Sequence, residues 1–306
     1  MIHTVVYGAS GPVLKATAMS LGHSPIVRRR RLGAELRRLR EAAGLTGDQL
    51  ASQLGWSPSK LSRIENARVR PDVGDVMDLL DVLGVSGPQW ETLIAVARDA
   101  ANTRGWWRAY GDSISQRERG YAELEIGAIE IREYQQTLVP GLLQTHEYAG
   151  VRIRSGRILA PSDLNPETAV AVRRARQEIL LRDEPPAYEA IICESVLRRP
   201  AAPPDVMTDQ IRHLIKMSER PNVTVRVLPL HAAIENFYIP VNSFSVYRFA
   251  DPADPEIVAL ETVTSDLHFG DEEDVSRYRL VFEKLRAAAL PPEDSVTFLT
   301  TLTEKQ

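Results

Sequence analysis

The apolar positions of this chain fall into two regimes: from Leu36 to Ala101 they recur at helical intervals of three and four, and from Tyr188 onward they gather in short branched or aromatic runs. In the first regime Leu50, Ala51 and Leu54 define a short helix over 48–54, opened by Thr46 as a hydroxyl cap and stopped by Gly55. Ser57 caps a second helix over 59–65. Pro58 occupies its first position, where a missing N–H costs nothing, and Leu61 and Ile64 face inward. Val76, Met77, Leu79, Leu80 and Leu83 predict a helix over 73–83 ended by Gly84. Trp90, Leu93, Ile94 and Ala97 predict another, opened by Ser86 and Pro88 and closing near Ala101, with 102–105 as a short hinge.

Beyond the hinge, Leu124, Ala128 and Ile131 recur at intervals of four and three and predict a largely helical stretch. It carries Trp106, Trp107, Tyr110, Tyr121 and Tyr134, read as core ahead of a ligand box because large aromatics dominate interiors. Pro140 breaks the chain before a helix over 142–154 that ends near Gly156. Pro161, Ser162 and Asp163 cap a further helix with Val170, Val172, Ala175, Ile179 and Leu180, whose Arg173, Arg174 and Arg176 read as solvated or as facing an acidic partner. Strands follow at 188–193, 223–228, 244–249 and 257–263, with helices at 206–219 and 274–288. The fold class is therefore α+β: an all-α five-helix domain at 26–101, then a mixed α/β domain at 106–306 with a mainly antiparallel or mixed sheet. Residues 1–25 lack periodicity and read as a disordered extension; Met19, just before a basic run, offers an alternative start, so that 1–18 need not belong to the native product.

Charge changes the picture. The chain of 306 residues carries a net −4, yet between Ile26 and Arg70 eleven basic residues stand against four acidic ones, a local +7 that leaves −11 for the remainder. A basic head on an acidic body is the asymmetry of a DNA reader joined to something that does not bind DNA. The outward residues of the second short helix, Ser57, Ser59, Lys60, Ser62, Arg63 and Asn66, are the small, polar and basic set that a helix in a major groove presents. Thr46, Gln49, Arg68 and Arg70 complete the expected contacts. The block Arg28, Arg29, Arg30 and Arg31 is either a solvated helix start or an arm along phosphates.

Other chemistry is thinly supported. Cys193 is the sole cysteine, so an internal disulfide and a four-cysteine zinc site are excluded, which fits a reducing cytoplasm. No run approaches the roughly 18 apolar residues of a membrane helix. His146-Glu147 lacks the second histidine of a zinc-protease helix, and there is no Gly-x-Ser-x-Gly elbow or phosphate-binding glycine loop. Cys193-Glu194-Ser195 is the one candidate nucleophile cluster, against which a lone cysteine is most often a small buried hydrophobe. No catalytic residue, metal or cofactor is expected.

The stretch LRRLREAAGLTGDQLASQLGWSPSKLSRIENARVRP resembles the helix-turn-helix of the Xre and phage-repressor type. That resemblance implies that Glu65 pairs with Arg40 of the first helix. Gly47 stands where many members carry a glutamine that touches the DNA backbone, and Ala67 replaces the usual glycine after the recognition helix. Further on, RGWW, YQQTLVPGLLQTHEYA, ESVLRRP, PNVTVRVLP and VFEKLRAAAL resemble the C-terminal domain of actinobacterial antitoxin-like regulators of the WhiJ type. This second resemblance implies a small partner protein encoded by an adjacent gene, and the whole reads as a cytoplasmic, homodimeric regulator of double-stranded DNA whose body binds that partner. The alternative is a metabolite-sensing repressor with a ligand pocket in the body.

Overall fold

The structure, a computed structural model, describes residues 6–8, 11–13, 22–102, 105–156 and 165–304. Of the extension expected to be disordered, β1 (Val6–Gly8) and β2 (Gly11–Val13) pair as an antiparallel hairpin. Ser24 caps the first helix, and the other residues before Gly22 lie outside the described ones.

The head consists of α1 (Pro25–Ala42), α2 (Gly47–Gln53), α3 (Pro58–Glu65), α4 (Val73–Val82) and α5 (Gly87–Ala101). Two caps read from the sequence, Thr46 and Ser57, open their helices. Thr46 and Gln49 form a reciprocal capping box on α2, and Ser57 accepts from the Lys60 N–H at 3.3 Å. Asp72 accepts from the N–H groups of Gly74 and Asp75, while Ser86 occupies the cap position of α5 without a side-chain hydrogen bond. Gly55 turns the chain at φ +67°, a left-handed conformation that a side chain would strain. Leu32, Leu36, Leu50, Ala51, Leu61, Ile64, Val76, Leu79, Leu80, Ile94 and Ala97 share one core.

The body is a three-layer α/β/α unit. After a 3₁₀ segment, Trp106–Ser113, come α6 (Gln116–Glu125), β3 (Ala128–Gln135), α7 (His146–Gly156), α8 (Pro166–Gln177), β4 (Ala187–Cys193), α9 (Glu194–Arg198), α10 (Pro204–Ser218) and β5 (Val223–Leu228). Then follow β6 (Phe244–Phe249), β7 (Ile257–Glu261), β8 (Asp266–Phe269), α11 (Glu272–Ala288) and α12 (Pro292–Glu304). The sheet runs β5-β4-β3-β6-β7-β8, parallel among β3, β4 and β5 and antiparallel elsewhere. Alternation along each strand divides two cores. Tyr188, Ala190, Ile192, Val225, Tyr247 and Ala259 meet Leu124, Leu142, Tyr148, Ile211 and Leu299 from helices on one face. Tyr134, Ile191, Phe244, Val246, Val258 and Leu260 meet Val275, Phe282 and Leu285 of α11 on the other.

Three expectations need correction. Ala128, Ile131 and Tyr134 do not continue a helix; they lie on β3, a central strand hydrogen-bonded to β4 and β6. The helix expected from residue 142 begins at His146, after a 3₁₀ turn at Gly141–Leu143. Pro161, Ser162 and Asp163 lie outside the described residues, and α8 is capped by Asn165, which accepts from the Glu167 N–H at 2.8 Å.

Candidate nucleic-acid interface

The outer face of α3 is open. Ser57, Ser59, Ser62, Arg63 and Asn66 are exposed, and among the described residues neither Arg63 nor Arg68 pairs with a carboxylate. Arg63 leans back along its own helix, its Nε donating to the Ser59 carbonyl at 3.3 Å. Asn66 is committed locally: its amide nitrogen donates to the Ser62 carbonyl at 2.7 Å, and its Oδ1 accepts from Arg37 at 2.7 Å. Lys60 is drawn off the open face. Its Nζ lies 3.9 Å from the Trp56 ring centroid and donates to Asp75 on α4 at 2.7 Å. Thr46 and Gln49 are exposed at the start of α2 but spend their side-chain oxygens on each other's backbone N–H groups, at 3.2 and 2.8 Å. Arg37, Trp56 and Asp75 therefore belong to this surface although they were not among the expected contacts.

Behind the open face, α1 holds α3 in place. Arg40 Nε donates to Glu65 Oε1 at 2.7 Å and its Nη2 to Oε2 at 3.1 Å, a bidentate fork whose remaining Nη1 donates to the Leu45 carbonyl at 2.9 Å. Gly33 is the contact point between the two helices: a Cβ there would fall 2.5 Å from the Glu65 carbonyl oxygen. The end of α3 is a Schellman turn, with the Arg68 N–H on the Arg63 carbonyl and the Ala67 N–H on the Ile64 carbonyl. Ala67 accordingly takes φ +54°, the left-handed conformation usually left to glycine.

The arginine block is neither a solvated start nor a phosphate arm. Arg28, only 5% exposed, donates to Asp251 at 3.1 Å and lies 3.4 Å from Asp254 and 3.8 Å from Asp99. Arg29 pairs with Glu123 at 2.9 Å, and Arg30 donates to the His268 carbonyl on the outermost strand at 2.8 Å. Arg31 reaches Asp251 at 2.6 Å and Asp254 at 3.3 Å. Arg70, expected on DNA, pairs instead with Glu123 at 3.0 Å. The reason is packing: Val27 of α1 is fully buried in the core of the body, so the first turns of the helix lie against α6 and the β6–β7 loop. Much of the +7 of the basic segment thus answers carboxylates of the body instead of phosphates.

Compared with known protein families, residues 31–93 match a helix-turn-helix domain and residues 119–301 match a domain of unknown function (DUF5753). The chain belongs to the DUF5753 family. No curated protein and no solved structure matches it. The helix-turn-helix match supports DNA binding and transcription regulation for the head.

The interior of the DUF5753 body holds several charged side chains, among them Glu118, Glu125, Glu133 and Arg176. Arg176, read as solvated or as facing an acidic partner, is buried and forks onto Glu125 at 2.5 and 3.0 Å while its guanidinium lies 5.0 Å from the Tyr121 ring. Burial pushes the Glu125 carboxyl up even against that partner. Glu133 on β3 is likewise pushed up by burial and accepts from the Tyr188 hydroxyl at 2.6 Å and from Gln135 at 2.8 Å. The aromatic set splits: Trp107 and Tyr110 form a small core with Ala122 and Val172, whereas Tyr121 and Tyr134 lie on opposite faces of the sheet. Cys193 lies 3.2 Å from the Tyr134 hydroxyl, and burial pushes its thiol up, away from the thiolate that a nucleophile requires. No described helix is long and apolar enough to cross a membrane.

Proposed function

We propose that this chain is a sequence-specific transcription regulator without catalytic activity, acting in the cytoplasm as a homodimer, whose head reads DNA through α3 and whose body receives a small partner protein. The carrying observation is that the body packs on the first turns of α1 and on Arg70, leaving Ser59, Ser62 and Arg63 uncovered for a major groove. Support for a protein partner is the apolar ridge of the β5–β6 loop, where Leu230, Phe237, Ile239 and Val241 are 67%, 90%, 76% and 83% exposed. Asn236 and Phe237 there both have positive φ, so backbone strain is accepted in presenting that ring.

Selection of DNA from a random pool by the full chain tests the first part. Arg63→Ala should weaken the selected sequence by about 1–3 kcal/mol and random DNA little, as a base contact requires; equal losses would make Arg63 a phosphate contact. For the second part, the product of a small neighbouring gene is titrated into the wild type and into Phe237→Ser. Binding by the wild type that the substitution abolishes supports the ridge as the docking site. Absence of binding by either protein would refute the partner and favour a metabolite sensor.

A further inference from the structure

Helix α1 is a member of both halves of the molecule. Its first two turns bring Val27 into the body's core, and its later turns bring Leu32 and Leu36 into the head's core. Eighteen residues without a break make a rod of about 27 Å. Its only proline stands at the first position, and its only glycine, Gly33, is pressed against the α3 carbonyls instead of serving as a hinge. Each end is held by directional contacts. At the body end Arg28 and Arg31 share Asp251 and Asp254, whose side chains are 32% and 3% exposed, and Arg29 pairs with Glu123 at 2.9 Å. At the head end Gly33 allows backbone contact with the last turn of α3, while Arg37 and Arg40 converge on Glu65 at 3.7 and 2.7 Å.

We infer that α1 is a rigid shaft through which the body fixes the orientation of the DNA-reading helix, with Arg28, Arg29 and Arg31 as positioning residues at one end and Gly33, Arg37 and Arg40 at the other. The inference rests on the DNA-binding reading of α3. Charged hydrogen bonds in a partly buried seam are lost over small displacements, so the body cannot turn relative to α1 without breaking several at once. Whatever moves the body moves α3 with it. By linkage, DNA held by α3 must be felt in the body to the same degree.

Hydrogen exchange of the full chain, with and without DNA selected from a random pool, reads this coupling. In the wild type, DNA should slow exchange on α3 and also, about five-fold or more, in the 250–254 loop and at the end of α6, near the lower edge of ordinary coupling. In Asp251→Asn with Asp254→Asn, which alters only the body, protection of α3 should persist and that of the 250–254 loop should vanish. Arg31→Gln repeats the cut from the α1 side should the double variant misfold. Without DNA, heating should give one calorimetric transition for the wild type and two for the cut variants. Protection of α3 alone in the wild type, or of the loop equally in wild type and variants, would overturn the shaft while leaving DNA binding intact. Failure of any DNA to protect α3 would instead overturn the DNA-binding reading, and the shaft's purpose with it.

Discussion

Removing the Arg40 and Glu65 side chains singly and together tests how firmly the recognition helix is held. Arg40 and Glu65 are 12% and 7% exposed, and each satisfies the other through two hydrogen bonds. Breaking a fully buried pair from one side costs roughly 3–5 kcal/mol, because the survivor keeps its desolvation and loses its counter-charge. Here each survivor has a fallback: Glu65 keeps Arg37 at 3.7 Å, and Arg40 keeps the Leu45 carbonyl at 2.9 Å and Glu41 at 3.5 Å. Arg40→Met or Glu65→Leu alone should therefore cost about 2–3 kcal/mol, below the fully buried range. The double substitution removes both charges and fills the space, and should cost about 1–2 kcal/mol, well under the sum. Urea unfolding followed by tryptophan fluorescence measures all three, with midpoints falling by about 1 M for the single variants at a slope near 2–3 kcal/mol/M. A double variant as unstable as the two single losses added would refute the pairing as an energetic unit. So would single losses under about 0.5 kcal/mol, the level of an ordinary surface substitution.

Three further outcomes are expected. Ala67→Gly should stabilise the head by about 0.5–1 kcal/mol, because relief of the left-handed strain exceeds the extra chain entropy of glycine, and a lower melting temperature would contradict the assigned turn. Asp75→Ala frees Lys60 to reach a phosphate, so DNA affinity should rise and the log–log salt slope steepen by about 0.9; an unchanged slope would leave Lys60 outside the interface. The His268 imidazole is held down to about 4 by burial and by the neighbouring Arg30, against 6.5 when free. The folded chain thus disfavours the imidazolium, so its stability is fully present above pH 6.5 and is lost as pH falls through about 4, by up to about 3 kcal/mol. His268→Gln should flatten that part of the pH profile of urea unfolding, and a profile identical to wild type would assign the loss to other groups.

The head was legible because its signals are local. A capping hydroxyl, a glycine stop and a proline at a first turn each act within a few residues, and Thr46, Ser57 and Gly55 do what their chemistry dictates. The central strand was not, since Leu124 ends one element and Ala128 begins another, and the interval between them imitates a helix. Its alternation of Ile131, Glu133 and Gln135 against Arg132 and Tyr134 was masked by a glutamate that turns inward to a tyrosine hydroxyl. Strand β8 has only four residues, and α12, though 13 residues long, is rich in threonine; α12 draws order from tertiary contacts such as that of Ser295 Oγ with the Val227 N–H. The arginine block posed the hardest problem, because four consecutive cations look the same in a sequence whether a phosphate or a distant aspartate answers them. Only the position of Val27 in a second core separates the two.

That a single helix is shared by two cores bears on modularity. In sequence the helix-turn-helix precedes the DUF5753 domain, and residues 102–105 look like the place to cut. In three dimensions the border runs through the middle of α1, about 70 residues earlier. A head excised at that hinge would expose Val27 and strip the four arginines of their partners in the body, and an isolated body would leave a gap in its core beside Glu123, Asp251 and Asp254. Exchange of heads between relatives would succeed only if the first two turns of α1 stayed with the body they came from, so recombination within such a family is constrained at a helix that in sequence precedes the DNA reader while the domain it serves follows it.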